Sequence, residues 1–218
     1  MILLFSGGID SFVAYHYLGK PPTVYFDLGT RYSKKELKVV KELIPSTIID
    51  CSIDLGNREV GEKAYVPFRN LILACLANKY SDEIVIAGVA DDNVSDKTPE
   101  AFESFSTLLS RLEQRNINVT SPFWSLTKEE VVAWYRENLK DDRILNTISC
   151  YSDDDNTYCG KCPSCFRKWV ALRSNGYLLP FFNYELMKRY RSAAEKGKYL
   201  PKRNAAILRE VGEYLNED

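Results

Sequence analysis

The chain has 218 residues, 45% of them hydrophobic, and its 29 Lys and Arg against 30 Asp and Glu leave a formal charge of -1. This length and composition predict one main domain with a full core and room for an appendage. The balanced charge excludes a general attraction to nucleic acid, so any basic surface is expected to be local. The single histidine, His16, falls in a helical pattern and is expected to be partly buried there, which excludes chemistry built on several histidines.

The apolar residues 1–5 lead directly into a glycine loop, without the basic and small-residue flanks of a signal peptide. No later stretch reaches the run of about 18 apolar residues that a membrane span needs. We therefore expect a cytoplasmic protein with no membrane contact. In that reducing compartment, six cysteines are expected to be thiols or metal ligands rather than disulfides.

Short β-rich runs alternate with helical periods over the first two thirds of the chain. Strands are predicted at 2–5, 23–28, 47–51, 83–88 and 117–120, and helices at 9–19, 33–44, 67–80, 99–115 and 127–138. This alternation predicts an α/β fold with a doubly wound parallel sheet. Ligands of such sheets bind beyond the carboxyl ends of the strands, which directs attention to 6–11, 27–32, 88–98 and 121–128.

The alternation ends near residue 145, which divides the chain into an α/β domain at 1–145 and an appendage at 146–218. The appendage contains a cysteine-rich segment and helical stretches predicted at 163–174, 183–196 and 203–216. Its basic stretch from 188 to 209 carries Tyr190 and Tyr199, a composition that suits nucleic acid or an acidic protein partner. A solvated helical face explains the same charges, and both interpretations stay open.

The glycine loop reads Ser6-Gly7-Gly8-Ile9-Asp10-Ser11 and lies between a predicted strand and a predicted helix. In that position backbone N–H groups and the helix dipole converge on an anion, for which phosphate is the natural ligand. The glycines allow close approach, the serines offer hydroxyl donors, and Asp10 suits a helix cap or a Mg²⁺ shell. An ordinary capped turn has the same composition; neither a Rossmann nor a Walker spacing is present.

Four cysteines, Cys150, Cys159, Cys162 and Cys165, follow the spacing C-x8-C-x2-C-x2-C. Four thiolates at these intervals predict a closed, structural Zn²⁺ site, although an iron–sulfur cluster accepts the same ligands. Free thiols clustered by chance are the weaker alternative. Cys51 and Cys75 fall in strand and helix patterns, and we expect them to be buried apolar thiols.

The strand, SGGxDS loop and helix resemble the PP-loop of N-type ATP pyrophosphatases, and with the four cysteines they resemble the 7-cyano-7-deazaguanine synthase (QueC) family. Further matching segments are Val66-Pro67-Phe68-Arg69-Asn70, Ile86-Ala87-Gly88-Val89, Ser121-Pro122 with Leu126-Thr127-Lys128, Thr147-Ile148-Ser149-Cys150-Tyr151, and Cys159 to Cys165 with Arg167. The resemblance covers about residues 1 to 173. It implies an adenine nucleotide alpha hydrolase-like fold that uses ATP, Mg²⁺ and structural Zn²⁺. Two segments depart from the family pattern: 28–32 keeps only Gly29 and Arg31, and the substrate-facing loop 91–102 is altered.

The resemblance implies that 7-carboxy-7-deazaguanine and ammonia become 7-cyano-7-deazaguanine through an adenylated carboxylate and an adenylated amide. The residues it implies are Ser6, Asp10, Ser11 and Lys128 for catalysis; Phe5, Ser6, Gly7, Gly8, Ile9, Asp10, Ser11, Asp27 and Arg31 for ATP; and Arg69 and Asn70 for the substrate. In the altered loop, Asp92, Asp96 and Lys97 are further candidates to bind a purine-like edge of the substrate or Mg²⁺. Lys128 as a solvated first-turn lysine, and 91–102 as an acidic solvated loop that caps a helix at Thr98, are the structural alternatives.

Two other functions stay open from the sequence. One is a QueC-like ligase that joins a deazaguanine or other carboxylate to a different amine, and the other is a non-catalytic nucleotide-binding zinc module. A homodimer is compatible with the sequence, which does not determine the oligomeric state. The ammonia must come from solution or from a partner, because no glutaminase segment is evident in the chain.

Overall fold

The protein forms the predicted α/β fold around a parallel sheet. The computed structural model describes residues 1–61, 65–92, 94–152 and 156–216. In this part of the chain five strands pair in the order β3-β2-β1-β4-β5. Their bounds are Ile2–Leu4 (β1), Thr23–Phe26 (β2), Ile48–Asp50 (β3), Glu83–Ile86 (β4) and Asn118–Thr120 (β5). Every neighbouring pair in the sheet is parallel, which confirms the predicted fold class.

The helices lie close to the predicted positions. They are Ile9–Tyr17 (α1), Ser33–Leu43 (α2), Arg69–Ala77 (α3), Pro99–Glu113 (α4), Lys128–Leu139 (α5), Pro163–Arg173 (α6), Tyr184–Glu195 (α7) and Pro201–Asn216 (α8). Two 3₁₀ turns, Gly56–Arg58 and Arg143–Asn146, were not predicted, because single turns this short have no distinctive hydrophobic period.

The strand order reverses beside β1, the central strand. The chain runs from β1 to β2 and β3 on one side, and then crosses back to place β4 and β5 on the other. Leu4 of β1 therefore pairs with Val24 of β2 and with Ile86 of β4. At such a switch point the loops leave the strand ends in opposite directions and open a crevice, where ligands bind in doubly wound sheets.

Both faces of the sheet are covered by helices. Leu3 and Phe5 pack in one apolar core with α1, α2 and α5, whereas Ile2 and Leu4 pack in a second core with α3 and α4. The strands of a sheet buried on both faces read as continuous apolar runs, as residues 2–5 do. This arrangement leaves the strand ends and their loops as the places for polar chemistry.

A third core lies in the region predicted as an appendage. It contains Cys150, Cys165 and the buried Trp169, together with apolar residues of α7 and α8. Trp169 contacts the rings of Phe166 and Tyr214, and its indole N–H donates to the Leu179 carbonyl at 2.9 Å. The boundary at residue 145 remains a prediction, since α6 also contributes Ala171 and Leu172 to the first core.

One prediction about cysteines is wrong. Cys51 and Cys75 are exposed rather than buried. Cys51 follows the end of β3, an edge strand with a partner on one side only, and Cys75 lies on the outer face of α3 while Ala74 and Ala77 face the sheet. His16 is partly buried, as predicted. Among the described residues, no helix has the length and apolar character needed to cross a bilayer.

Candidate active site and metal centre

A cavity of about 310 Å³ opens at the carboxyl ends of β1, β2 and β4, at the switch point of the sheet. Its lining brings together the glycine loop, the starts of α2, α3, α5 and α6, and the loop that follows β4. The charged residues of the lining are Asp10, Glu36, Arg69, Asp92, Lys97, Lys128, Arg167 and Lys168. Most of the residues predicted to bind ATP or substrate therefore lie around one cavity.

The glycine loop takes the shape that anion binding requires. Gly7 has a φ of +72°, and a Cβ on it would lie 3.1 Å from the Val39 side chain, so a larger residue is both strained and crowded there. Gly8 caps α1 without a side-chain hydrogen bond to the first turn, which leaves the first backbone N–H groups of the helix available. The Ser6 and Ser11 hydroxyls lie 3.3 Å apart at the cavity. Such a helix N-terminus attracts phosphate oxygens.

Lys128 lies at the first position of α5 and reaches the glycine loop. Its Nζ is 2.5 Å from Oδ1 of Asp10, and its side chain is only 10% exposed. The capping box of Thr127 and Glu130 fixes the start of the helix and hence the origin of this side chain. The alternative of a solvated first-turn lysine is wrong, because the side chain is buried at the cavity.

The loop after β4 is held by a network of buried charges. The Asp92 carboxylate lies 2.9 Å from Lys97 and 2.9 Å from Arg167. Burial opposes ionisation of Asp92, but these two cations outweigh it and keep the pKa of its carboxyl well below the usual range. Thr98 does cap α4 through its hydroxyl, as the structural alternative required, but the loop is not simply solvated. Asp91 and Asp92 of this loop are committed to ion pairs.

The neighbouring Asp91 ties this loop to the C-terminal helix. Its side chain is 2% exposed and lies 3.0 Å from Arg167 and 3.2 Å from Arg203 of α8. Arg203 also donates to the Asp91 carbonyl at 3.3 Å and lies over the ring of Tyr199 at 4.5 Å. Helix α8 thus supports the loop that lines the cavity.

The predicted substrate residues divide between direct lining and support. Arg69 and Asn70 line the cavity at the start of α3. Asp96 does not line it; its carboxylate accepts the Asn70 backbone N–H at 2.9 Å and side-chain amide at 2.8 Å. Asn93 of the same loop lies outside the described residues.

Two residues predicted to bind ATP lie away from the lining. Asp27 accepts the Gly29 N–H at 3.1 Å, and Arg31 lies 3.0 Å from Glu59 and also donates to the Gly61 carbonyl. Neither belongs to the cavity wall, so their roles toward ATP remain predictions. Both residues form hydrogen bonds to nearby backbone groups in the loop after β2 or in the segment beside it.

Glu36 was not predicted from the sequence, yet its side chain lines the cavity from the first turn of α2. Its Oε2 accepts the Tyr25 hydroxyl at 3.1 Å. Burial raises the pKa of Glu36 to about 7, against the positive charge of Arg69. The sequence pattern of an amphipathic helix predicts that a charged residue such as Glu36 faces solvent. Its position at the cavity follows from the packing of α2 beside β2, which the sequence does not reveal.

Lys168 was also missed, because it reads as one more basic residue of a helix. Its side chain is buried, and its Nζ donates to the Leu145 carbonyl at 3.1 Å as well as to the Thr147 carbonyl and hydroxyl. These bonds fix the segment that enters the cysteine cluster. Arg167, quoted in the sequence only as part of the family pattern, is the bridge between Asp91 and Asp92.

The four predicted metal ligands converge as expected. The sulfur atoms of Cys150, Cys159, Cys162 and Cys165 all lie within 4.8 Å of one another, and Sγ of Cys159 is 3.8 Å from that of Cys165. Tetrahedral Zn²⁺ with bonds of about 2.3 Å to sulfur requires sulfur atoms about 3.8 Å apart. Four protein ligands fill the coordination sphere, so the donor set fits a structural zinc ion and leaves no open position for catalysis.

The metal centre is directly connected to the glycine loop. The Ile148 N–H donates to the Gly7 carbonyl at 2.8 Å, two residues before the ligand Cys150. The cavity is lined further along this segment by Ser149, Cys150 and Tyr151. One wall of the cavity is therefore fixed between the glycine loop on one side and the metal ligands on the other.

The aromatic residues of the basic C-terminal stretch are largely used inside the protein. Tyr190 stacks on Phe166 with ring centres 4.3 Å apart, and Tyr199 lies 6.2 Å from Tyr190. Lys188 and Arg191 form ion pairs with Glu185 and Glu195 of their own helix. These contacts favour the structural interpretation of this stretch; nucleic acid or protein contact remains a prediction.

Comparison with known sequences identifies a family and several relatives of the chain. Residues 23–176 match the family described as queuosine biosynthesis protein QueC, a range that includes all four clustered cysteines and begins after the glycine loop. The chain is 29% identical to the 7-cyano-7-deazaguanine synthase of Aquifex aeolicus, over 79% of this chain and 96% of that protein. It is 28% identical to the synthase of Methanocaldococcus jannaschii, over 80% and 95%. The synthase of Stutzerimonas stutzeri is 29% identical, over 81% and 92%. The chain belongs to the QueC family.

Proposed function

We propose that the protein uses two molecules of ATP to convert 7-carboxy-7-deazaguanine and ammonia into 7-cyano-7-deazaguanine. The names of the relatives support the product, and the QueC family supports synthase-type chemistry with ATP. The observation that carries the proposal is the convergence of Ser6, Ser11 and Lys128 on one cavity with the free N-terminus of α1. This is a set of donors for a triphosphate.

The first step is adenylation of the substrate. A carboxylate oxygen attacks the α-phosphorus of ATP, the bond to the bridging oxygen breaks, and pyrophosphate leaves with the electron pair. Negative charge builds on the leaving group, where the Lys128 ammonium and the N–H groups of the glycine loop stabilise it. Mg²⁺ bound with the triphosphate would neutralise further charge, and the Asp10 carboxylate fits its preference for oxygen ligands.

Two further steps complete the nitrile. Ammonia attacks the acyl carbon, AMP leaves, and loss of a proton gives the amide. The amide oxygen then attacks the α-phosphorus of a second ATP, and pyrophosphate leaves with the electron pair of the broken bond. Loss of AMP and of both protons of the amide nitrogen forms the carbon–nitrogen triple bond. Both activations need the same donors around the triphosphate, so one cavity serves both. The protein contributes positioning and charge stabilisation rather than a covalent intermediate.

A single assay tests this proposal. Purified protein is incubated with ATP, Mg²⁺, ammonia and 7-carboxy-7-deazaguanine, and the products are followed by mass spectrometry and by pyrophosphate release. We expect a nitrile that is lighter than the acid, with two pyrophosphates released for each nitrile. Accumulation of adenylate or amide without nitrile would favour a ligase instead. No pyrophosphate release with this acid, from protein that retains its zinc, would refute the synthase.

A further inference from the structure

Glu36 differs from the other carboxylates of the cavity in the groups that surround its side chain. Asp10 lies 2.5 Å from Lys128, and Asp92 lies 2.9 Å from both Lys97 and Arg167. Across the described ranges of the chain, no cation lies within ion-pair distance of Glu36, and its side-chain partner is the Tyr25 hydroxyl at 3.1 Å. Glu36 is the lining carboxylate with oxygen lone pairs left to accept hydrogen bonds.

The surroundings of Glu36 offer few other donors. Thr30 and Ser33, which also line this side of the cavity, hydrogen-bond to each other through their hydroxyls at 2.9 Å. The Tyr25 hydroxyl donates a bifurcated hydrogen bond to the Glu36 carboxylate and the Ser33 carbonyl. A half-buried carboxyl with unused acceptor capacity is costly unless a ligand supplies the donors.

Arg69 is the matching cation without a partner on this side of the cavity. It lines the cavity, forms no ion pair with a described residue, and its charge acts on Glu36 from beyond ion-pair distance. The cavity therefore offers an acceptor, Glu36, and a donor, Arg69, whose charge acts on it. An uncharged heterocycle with adjacent donors and an acceptor on one edge satisfies both.

The two heterocycles of the proposed reaction differ on that edge. A 7-deazaguanine presents its N1–H and 2-amino group as two parallel donors next to the 6-oxo acceptor, a pattern that a carboxylate and a guanidinium read together. Adenine presents one amino donor beside the N1 acceptor, which would repel the second carboxylate oxygen. The chemistry of this side of the cavity thus favours the deazaguanine over the adenine of ATP.

We propose that Glu36 is a specificity-determining residue that accepts hydrogen bonds from the N1–H and the 2-amino group of the 7-deazaguanine substrate. This inference rests on the proposed function for the choice of substrate. The two donors hold Glu36 in its ionised form and turn the 7-carboxylate toward the glycine loop. The raised pKa of Glu36 agrees with a site that is completed by its ligand, because donors from the substrate favour ionisation.

Steady-state kinetics with a modified substrate test the inference. The test compares 7-carboxy-7-deazaguanine with the analogue that lacks the 2-amino group, using wild-type protein, Glu36→Gln and the control Glu42→Gln. Glu42 lies on the same helix and is exposed. We expect the wild type and the control to prefer the natural acid by about 100-fold or more in kcat/KM. In Glu36→Gln, the KM for the natural acid should rise at least about 10-fold and the preference should fall below about 10-fold, with the KM for ATP unchanged.

Two outcomes would overturn the inference while the proposed function stands. One is a wild type that converts both acids with similar kcat/KM, a result that requires no variant to fold. The other is a Glu36→Gln protein that keeps the full preference or shows its defect in the KM for ATP.

A binding measurement separates this inference from the proposed function. Calorimetry with 7-deazaguanine, which lacks the reacting carboxylate, compares the same three proteins without catalysis. If the wild type makes no nitrile but binds 7-deazaguanine at least about 10-fold more tightly than Glu36→Gln, the synthase proposal fails and the recognition stands. Equal binding by both proteins contradicts the recognition whatever the assay shows.

Discussion

The two sides of the cavity treat charge in opposite ways. On the side of β4, α5 and α6, Asp10 and Asp92 are paired with Lys97, Lys128 and Arg167. On the side of β2 and α2, the partner of Glu36 among the residues that the structure describes is the hydroxyl of Tyr25. A network of opposite charges holds its geometry before a ligand arrives, which suits positioning of a triphosphate. A carboxyl without a cation gains its partners from the ligand, which suits selection of a heterocycle.

The largest effect on folding is expected at the metal centre, which adjoins the cavity. Cys159→Ser removes one ligand of the metal centre, and structural zinc contributes on the order of 10 kcal/mol to folding. We expect the variant to be insoluble or unfolded, as judged by circular dichroism and zinc content. Cys75→Ser, a change of an exposed cysteine outside the cluster, is the control and should behave as wild type. A soluble, stable Cys159→Ser protein with slower turnover alone would contradict a structural metal.

The next effect separates the two sides of the cavity: the phosphate side, which carries Lys128, and the heterocycle side, which carries Glu36. Lys128→Met removes the buried cation next to the glycine loop, so kcat for pyrophosphate release should fall about 100- to 1000-fold. Preference for the 2-amino group should persist in the residual activity, since Glu36 is untouched. The exposed Lys202, paired with Glu130, provides a control in Lys202→Met. A Lys128→Met enzyme within about 3-fold of wild type would remove Lys128 from the phosphate side.

A smaller effect is expected from the support of the β4 loop. Arg203→Met removes one of the two cations of the buried Asp91, while Arg167 remains. The expected loss is about 2 kcal/mol, or about 4 to 8 °C in Tm for a chain of this size, with a higher KM for the acid. Calorimetry and kinetics measure the two effects. Unchanged Tm and KM would show that α8 does not support the loop.

The smallest effect is a pH dependence on the heterocycle side. Because burial raises the pKa of Glu36 to about 7, the folded protein retains this proton between about pH 4.5 and 7 after the unfolded chain has lost it. The stability from Glu36 is therefore present below about pH 4.5 and is lost as pH rises through 7. Relative to wild type, Glu36→Gln should gain about 1 kcal/mol across this window, a value reduced by the partial solvent contact of Glu36. Parallel urea titrations of both proteins at pH 4.5 and 8 measure it; a constant difference would contradict the raised pKa.

The sequence predicts the fold better than the site, for physical reasons. Residues 2–5 are apolar because both faces of β1 are covered, and that run identifies the strand without knowledge of its neighbours. The four cysteines are recognisable because their spacing in the chain is itself the chemical signal. Gly7 and Gly8 are recognisable for the same reason.

Residues whose roles depend on long-range packing are not recognisable in this way. Glu36 reads as part of a solvated helix until α2 packs beside β2, and Arg203 reads as part of a basic tail until it meets Asp91, 112 positions earlier in the chain. The exposure of Cys51 likewise depends on β3 being an edge strand. Periodicity reports the environment of an element and carries no information about its neighbours across the fold.

The hydrogen bond between Ile148 and the Gly7 carbonyl has a consequence for engineering the protein. A nucleotide loop is commonly treated as a module that can be grafted from one enzyme onto another. Here the loop and the segment leading to Cys150 are fitted to each other, since a Cβ on Gly7 would meet the side chains of both Val39 and Ile148. A chimera that exchanges residues 6–11 alone would receive a loop without the segment that it is fitted to. The unit to transfer is therefore the loop together with residues 147–165.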